Sequence, residues 1–130
     1  MNIVRTGIIL NTEKYQECVD FYQTVFQLKP MYSQIHDDGF KLTCFEFGES
    51  YLMVETGGTA SKGAKDIVVC PAKLRFNVSD IDVALQAIKA HGIEAAIERF
   101  EWGNTINIYD PDGNRVGIRD EATFIVGDES

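Results

Sequence analysis

Ile8-Ile9-Leu10-Asn11-Thr12 and Leu74-Arg75-Phe76-Asn77-Val78 open two stretches of this chain in the same way. Each is a short apolar run that leads directly into a helix-like pattern. The two stretches also close alike. Gly48-Glu49-Ser50 precedes Tyr51-Leu52-Met53-Val54, and Asp110-Pro111-Asp112-Gly113-Asn114 precedes Arg115-Val116-Gly117-Ile118. Such a repeat is one supersecondary unit used twice, each copy covering apolar surface that the other cannot bury alone. The reading predicts an α+β fold: two tandem βαβββ modules whose curved half-barrel sheets surround a cleft. The modules are expected over residues 1–56 and 72–120, with a linker over 57–71 and a tail over 121–130.

Working outward, Val4 to Leu10 reads as a strand, and Asn11 or Thr12 as the cap of the helix that follows. Tyr15, Cys18, Val19, Tyr22, Val25 and Phe26 recur at three- and four-residue steps, the buried stripe of an amphipathic helix. Pro30 lies beyond that helix. Met31–His36 and Phe40–Phe47 flank Asp37-Asp38-Gly39, a hairpin signal because Gly accepts the positive φ of such turns. Tyr51 to Glu55 is the fourth strand. Gly57, Gly58, Ser61 and Gly63 mark a flexible connector, a tether or a lid.

The second half repeats the order. Ala72–Val78 is a strand. Ser79 with Asp82 resembles a capping box. Ala84, Leu85, Ala87 and Ile88 supply a buried helix face, and Gly92 terminates it. Ile93–Arg99, Asn104–Tyr109 and Arg115–Arg119 are the remaining strands. Phe124-Ile125-Val126 in the tail has the apolar character to pack on a neighbour.

Bulk properties exclude several functions. A chain of 130 residues with 45% hydrophobic content can bury about two-thirds of its unfolded surface, so it needs no staples. The net charge of −8 argues against a nucleic-acid partner, which requires a basic face. No apolar run approaches the ~20 residues of a membrane span, and no signal-peptide pattern opens the chain. Cys18, Cys44 and Cys70 are odd in number and scattered, which suits a reducing compartment. The first two read as core residues, the third as partly exposed. A soluble cytoplasmic protein with no membrane partner is the expectation.

Alternation along strands then predicts what lines the cleft. Leu74, Phe76 and Val78 must face a helix, which leaves Lys73, Arg75 and Asn77 on the opposite side. The repeat puts Gly7, Ile9 and Asn11 on the matching face of the first half, with Arg5 just before them. Val116 and Ile118 take the core side, so Arg115, Gly117 and Arg119 face away, as do Thr105, Asn107 and Tyr109. The inner surface of an acidic protein thus gathers Arg5, Lys73, Arg75 and Arg119 among Asn11, Asn77, Asn107 and Tyr109. Arginine can hold a carboxylate or phosphate by two parallel hydrogen bonds. The bland alternative is a set of solvated strand-end cations.

The order strand–helix–three strands, twice, with Asp110-Pro111-Asp112-Gly113-Asn114 before the last strand, resembles the vicinal oxygen chelate superfamily. Phe21-Tyr22, Asn77-Val78-Ser79-Asp80 and Trp102-Gly103 add to the likeness, which covers Ile3 to Asp120. That superfamily includes glyoxalase I, extradiol dioxygenases, fosfomycin-resistance thiol transferases and bleomycin-resistance proteins. Its enzymes hold a divalent metal with His, Glu or Gln on the first and last strands of the modules. Carried onto this chain, those positions fall on Gly7, Lys73 and Gly117, and near Leu52 or Met53. Gly offers no ligand and a charged Lys has no free lone pair, so no metal and no cofactor is expected. His36 and His91 read as solvated surface residues. Glu46, Glu55 and Glu101 are scattered carboxylates. No nucleophile elbow, Cys–His pair or phosphate loop is present.

Three readings follow. The first is a metal-independent protein that binds a small organic molecule, with Arg5, Gly7, Ile9, Lys73, Arg75, Asn77, Trp102, Asn107, Tyr109 and Arg119 as ligand-binding residues and flat contact from Trp102, Tyr109 and Phe45. Bleomycin is cationic, so the basic face implies a different ligand. The second is an enzyme, with relocated metal ligands or with Tyr109 or Lys73 as acid or base. The third is a dimeric interaction module. A homodimer is expected on symmetry grounds.

Overall fold

The computed structural model describes residues 1–124. The chain divides into two compact units, Met1–Lys62 and the remainder from Gly63. Each is one βαβββ module, and each carries a four-stranded mixed sheet that does not close on itself.

The first unit contains β1 (Gly7–Thr12), α1 (Tyr15–Thr24), β2 (Pro30–Ile35), β3 (Lys41–Phe47) and β4 (Ser50–Thr56), with sheet order β1-β4-β3-β2. β1 and β4 run parallel with Gly7 opposite Tyr51, Ile9 opposite Met53 and Asn11 opposite Glu55. β3 pairs antiparallel with both β2 and β4. Cys18, Val19, Phe21 and Tyr22 of α1 are buried, and Phe45, Leu52 and Val54 of the sheet are fully enclosed with them. Phe21, Tyr22 and Phe26 meet in an aromatic cluster. At about 25 cal/mol per Å² of apolar surface, such burial dominates the stability of the module. Gly39 sits at φ +92° in the Asp37-Asp38-Gly39 turn, where an L side chain is strained.

Several local expectations are corrected here. β1 starts at Gly7 rather than Val4, because its ladder partner β4 offers no residue opposite Arg5. Asn11 and Thr12 do not cap α1. They lie in β1, where Asn11 Nδ2 donates to Glu55 Oε1 (3.2 Å) and to the Thr56 carbonyl (3.2 Å), while Thr12 Oγ1 donates to the Glu55 carbonyl (2.9 Å). The N-cap position falls on Lys14, whose side chain makes no capping hydrogen bond. Phe45 is buried in the core and gives no flat surface for a ligand.

The second unit contains β5 (Leu74–Val78), α2 (Ile81–Ala90), β6 (Ile97–Phe100), β7 (Gly103–Tyr109) and β8 (Arg115–Asp120), with order β5-β8-β7-β6. β5 and β8 are parallel, and β7 lies antiparallel to β6 and β8. Leu74, Ile81, Ile88, Ile106, Ile108, Val116 and Ile118 form its core. Asp80, not Ser79, caps α2: its carboxylate accepts from the backbone N–H of Asp82 (3.0 Å) and Val83 (3.2 Å). Ile88 is buried as expected and Ile81 joins it, Ala84 and Leu85 are half-buried, and Ala87 is exposed. Ala72 and Lys73 precede β5, and β6 begins only at Ile97.

The Asp110–Asn114 turn is a hydrogen-bonded knot. Asp110 Oδ1 accepts from the backbone N–H of Asp112 and Asn114 (both 2.9 Å), and Oδ2 accepts from Asn114 Nδ2 (2.9 Å). The connector is tied to it. Lys65 N donates to the Gly113 carbonyl (2.8 Å) and Lys65 Nζ to Asn114 Oδ1 (3.0 Å). Residues 63 to 66 are thus part of the second module rather than a free tether. In the tail, Phe124 packs on the Arg119 guanidinium, and Ile125 and Val126 lie outside the described residues. No helix among the described residues is long and apolar enough to cross a membrane.

Candidate functional site

The open face of the second sheet, opposite its helix, follows from register. Arg75 lies beside Gly117, which lies beside Asn107; Asn77 lies beside Arg119, which lies beside Thr105; Arg115 lies beside Tyr109. Glu98 of β6 pairs with Thr105. Four cations therefore mark one face of this module: Lys73, Arg75, Arg115 and Arg119.

They are not equivalent. Arg119 is held structurally: its Nη2 donates to the carbonyls of Trp102 (2.6 Å) and Thr123 (3.2 Å), and its guanidinium lies over the rings of Trp102 and Phe124. Arg115 Nη2 donates to the carbonyls of Cys70 (3.1 Å) and Ala72 (3.3 Å), fixing the approach to β5. The buried Nε atoms of both arginines and Thr105 Oγ1 have no hydrogen-bond partner among the described residues. Arg75 is exposed and makes no hydrogen bond or ion pair among the described residues. Lys73 Nζ donates to Asn107 Oδ1 (2.6 Å), and Asn107 Nδ2 donates to Glu98 Oε1 (3.4 Å). Asn107 thus bridges Lys73 and Glu98 by hydrogen bonds.

Gly117 makes the convergence possible. A Cβ built there would stand 3.0 Å from Lys73 Cε, 3.1 Å from Arg75 Nε and 3.5 Å from Asn107 Oδ1. Lys73 and Arg75 therefore meet over this glycine. Burial pushes the Lys73 ammonium below its ordinary range; Arg75 and Arg115 act in the same direction, and Glu98 opposes them. Lys73, Asn107, Tyr109 and Arg115, with Ala64 of the connector and Ile108, line a cavity of about 250 Å³. This is smaller than the ~300–1,000 Å³ of sites for drug-sized ligands, so it suits a small metabolite.

Below this group, Asp120 anchors the end of β8. Burial alone would raise its carboxyl. Hydrogen bonds from Thr123 Oγ1 (2.5 Å), Asn104 N (3.0 Å) and Asn104 Nδ2 (3.1 Å) outweigh burial and hold it below its ordinary value.

In the first unit, Gly7, Ile9 and Asn11 share the open face with Tyr51, Met53 and Glu55. A Cβ at Gly7 would overlap the Tyr51 ring. Arg5 precedes β1 and lines a shallow depression of about 380 Å³ with Thr6, Glu49 and Ser50. Of the ten residues expected at a ligand site, Lys73, Arg75 and Asn107 gather around Gly117, and Lys73, Asn107 and Tyr109 line the neighbouring cavity. Asn77 Nδ2 is engaged with Glu121 Oε1 (2.9 Å). Trp102 stacks on Phe100 with centroids 4.9 Å apart and, like Arg119, belongs to the clamp at the other end of the sheet. Arg5, Gly7 and Ile9 belong to the first unit. Arg115 and Ala64, which line the same cavity, and Glu98, bonded to Asn107, are not among the ten. Strand alternation placed Arg115 on this face, but nothing in the sequence ties Ala64 to it.

The model of the Glyoxalase/Bleomycin resistance protein/Dioxygenase superfamily matches residues 3–118, and the chain belongs to that superfamily. Among solved structures it is similar to the genomically encoded fosfomycin resistance protein of Listeria monocytogenes, complexed with Mn(II) and sulfate: 18% identity, 92% of this chain and 93% of that one, TM-score 0.71. It is also similar to lactoylglutathione lyase from Agrobacterium tumefaciens (19% identity, 89% and 92% coverage, TM-score 0.66) and to a glyoxalase family protein from Enterococcus faecalis (16%, 91% and 96%, 0.66). These likenesses establish the fold. A search of curated proteins gave no match.

The metal positions of the superfamily, carried over by resemblance, do not fit a metal here. Gly7 lies under the Tyr51 ring, and Gly117 lies under Lys73 and Arg75. Two cations at one proposed position repel a divalent ion. Met53 shares the open face with Ile9 and Leu52 is enclosed in the core. Among the described residues no three His, Cys, Asp or Glu side chains cluster to hold a metal.

Proposed function

We propose that this protein is a metal-independent small-molecule binding member of the superfamily, and that it holds an anionic organic ligand on the open face of its second module. One observation carries the reading: Lys73 and Arg75 meet over Gly117 beside Arg115, with no carboxylate bonded to any of them among the described residues. Neighbouring like charges raise the energy of the ligand-free state, and an anion relieves it. Arg75 supplies the free guanidinium fork. Tyr109 supplies the aromatic wall of the cavity.

Thermal unfolding with inorganic phosphate, glycolate, benzoate, a polyamine and Mn(II) tests this. The anions are expected to raise Tm. A ligand at 100 times its Kd adds about 2.7 kcal/mol, which is several degrees for a chain of this size. Stabilisation by the polyamine or by stoichiometric Mn(II), with none by the anions, overturns the reading and favours a metalloenzyme.

A further inference from the structure

We propose that Lys73 is a nucleophilic amine that reversibly captures a small 2-oxo acid or aldehydic acid as an imine, with Arg75 docking the acid's carboxylate. This rests on the anion-binding reading above and adds a covalent step to it. The geometry is specific. Lys73 Cε and Arg75 Nε both pack on one glycine, each within about 3 Å of the point where its Cβ would stand. In a 2-oxo acid the carbonyl carbon is bonded directly to the carboxylate carbon. An acid seated on Arg75 therefore presents its carbonyl to the neighbouring amine.

The surroundings of the amine favour its neutral form. Its hydrogen-bond partner is the neutral amide oxygen of Asn107, whose orientation is set by the bond from its Nδ2 to Glu98. A carboxylate in that position would hold the ammonium charged. Partial desolvation and two guanidiniums bias this exposed amine the other way. The cavity beside it is lined by Tyr109, whose phenol offers a proton donor and acceptor.

In the step itself, the Nζ lone pair attacks the carbonyl carbon while the C=O π pair moves to oxygen. A proton passes from nitrogen to that oxygen, giving a carbinolamine. Protonation of the hydroxyl and loss of water leave the C=N bond, and hydrolysis returns acid and amine. No oxidant or reductant takes part.

The test incubates the full chain with glyoxylate and cyanoborohydride, which reduces any imine to a carboxymethyl amine, followed by peptide mapping. Lys73 is expected to label roughly tenfold or more faster than Lys14, Lys41, Lys62 and the N-terminus, because docking raises the local carbonyl concentration. Glycolate, the same acid without a carbonyl, should slow labelling at Lys73 alone. Lys73→Arg should lose the fast label and keep stabilisation by glycolate. Arg75→Gln should bring the rate at Lys73 down to that of the surface lysines. Uniform labelling with glycolate stabilisation intact overturns the imine and leaves the anion site standing. Uniform labelling with no glycolate effect overturns both.

Discussion

Arg75→Gln separates a binding role from a structural one, because the two predict opposite signs. Arg75 has no hydrogen-bond or ion-pair partner among the described residues, and its Nε lies beside Lys73 over Gly117. Removing its charge takes away no internal contact and relieves like-charge repulsion. Stability without ligand should stay within about 0.5 kcal/mol of the parent, the usual range for a surface change, and shift upward if at all. Binding should respond strongly. A hydrogen bond to a charged group contributes about 1.5–3 kcal/mol, and the exposed setting favours the low end. At 1.4 kcal/mol per factor of ten, phosphate affinity should fall about tenfold to a hundredfold. Urea unfolding with and without phosphate measures both quantities in one experiment. A loss above about 1 kcal/mol in the absence of phosphate shows that the guanidinium braces the fold. An unchanged phosphate effect shows that the anion binds elsewhere.

Asp120→Asn removes a carboxylate that accepts three hydrogen bonds and should cost about 1–3 kcal/mol at neutral pH. The folded carboxyl titrates below its ordinary value of 3.8, so its stabilisation is complete above 3.8 and is lost as pH falls through the folded value; the gap between parent and variant in acid urea melts should narrow accordingly. Lys73 behaves in the opposite sense to a paired lysine. Its folded value lies below the ordinary 10.5, so the unfolded chain binds more protons between the two values, and stability should rise with pH through that window; Lys73→Met should flatten that part of the curve. Gly7→Ala drives a methyl group into the Tyr51 ring and should cost about 1–3 kcal/mol. A double-mutant cycle with Tyr51→Ala should recover part of the loss, and additive effects would show that the ring moves aside freely.

The repeat, the fold class and the strand faces were legible because period-two alternation and turn chemistry are local signals. Leu74 is buried and Phe76 half-buried as their apolar character requires, while Arg75 and Asn77 are exposed. Boundaries were less legible where a ladder partner decides them. β1 begins where β4 begins to pair with it, and Asn11 and Thr12 serve Glu55 and Thr56 across the sheet instead of capping the next helix. The division of labour among the cations was not legible at all. Arg119 faces the predicted side, yet Trp102, Thr123 and Phe124 engage it, and only tertiary packing brings those groups together. Arg115 is fixed by the carbonyls of Cys70 and Ala72, and the cavity wall includes Ala64 from a connector that reads as featureless.

The two modules share one device. In each pair of parallel strands a glycine on the open face lies opposite a long side chain: Gly7 opposite Tyr51, and Gly117 opposite Arg75. At Gly7 the Tyr51 ring occupies the space where a Cβ would project, and at Gly117 Lys73 and Arg75 crowd it. By resemblance, these are the positions from which relatives extend metal ligands. A Glu or His at either glycine would have to displace these covering side chains. The covering groups then set what each face can bind. Tyr51 beside Met53 and Glu55 gives the first module an aromatic, acidic surface, whereas Arg75 with Lys73 and Arg115 gives the second a cationic one. A fold built by repetition thus differs chemically between its halves at equivalent glycines, one covered by an aromatic ring and the other by cations.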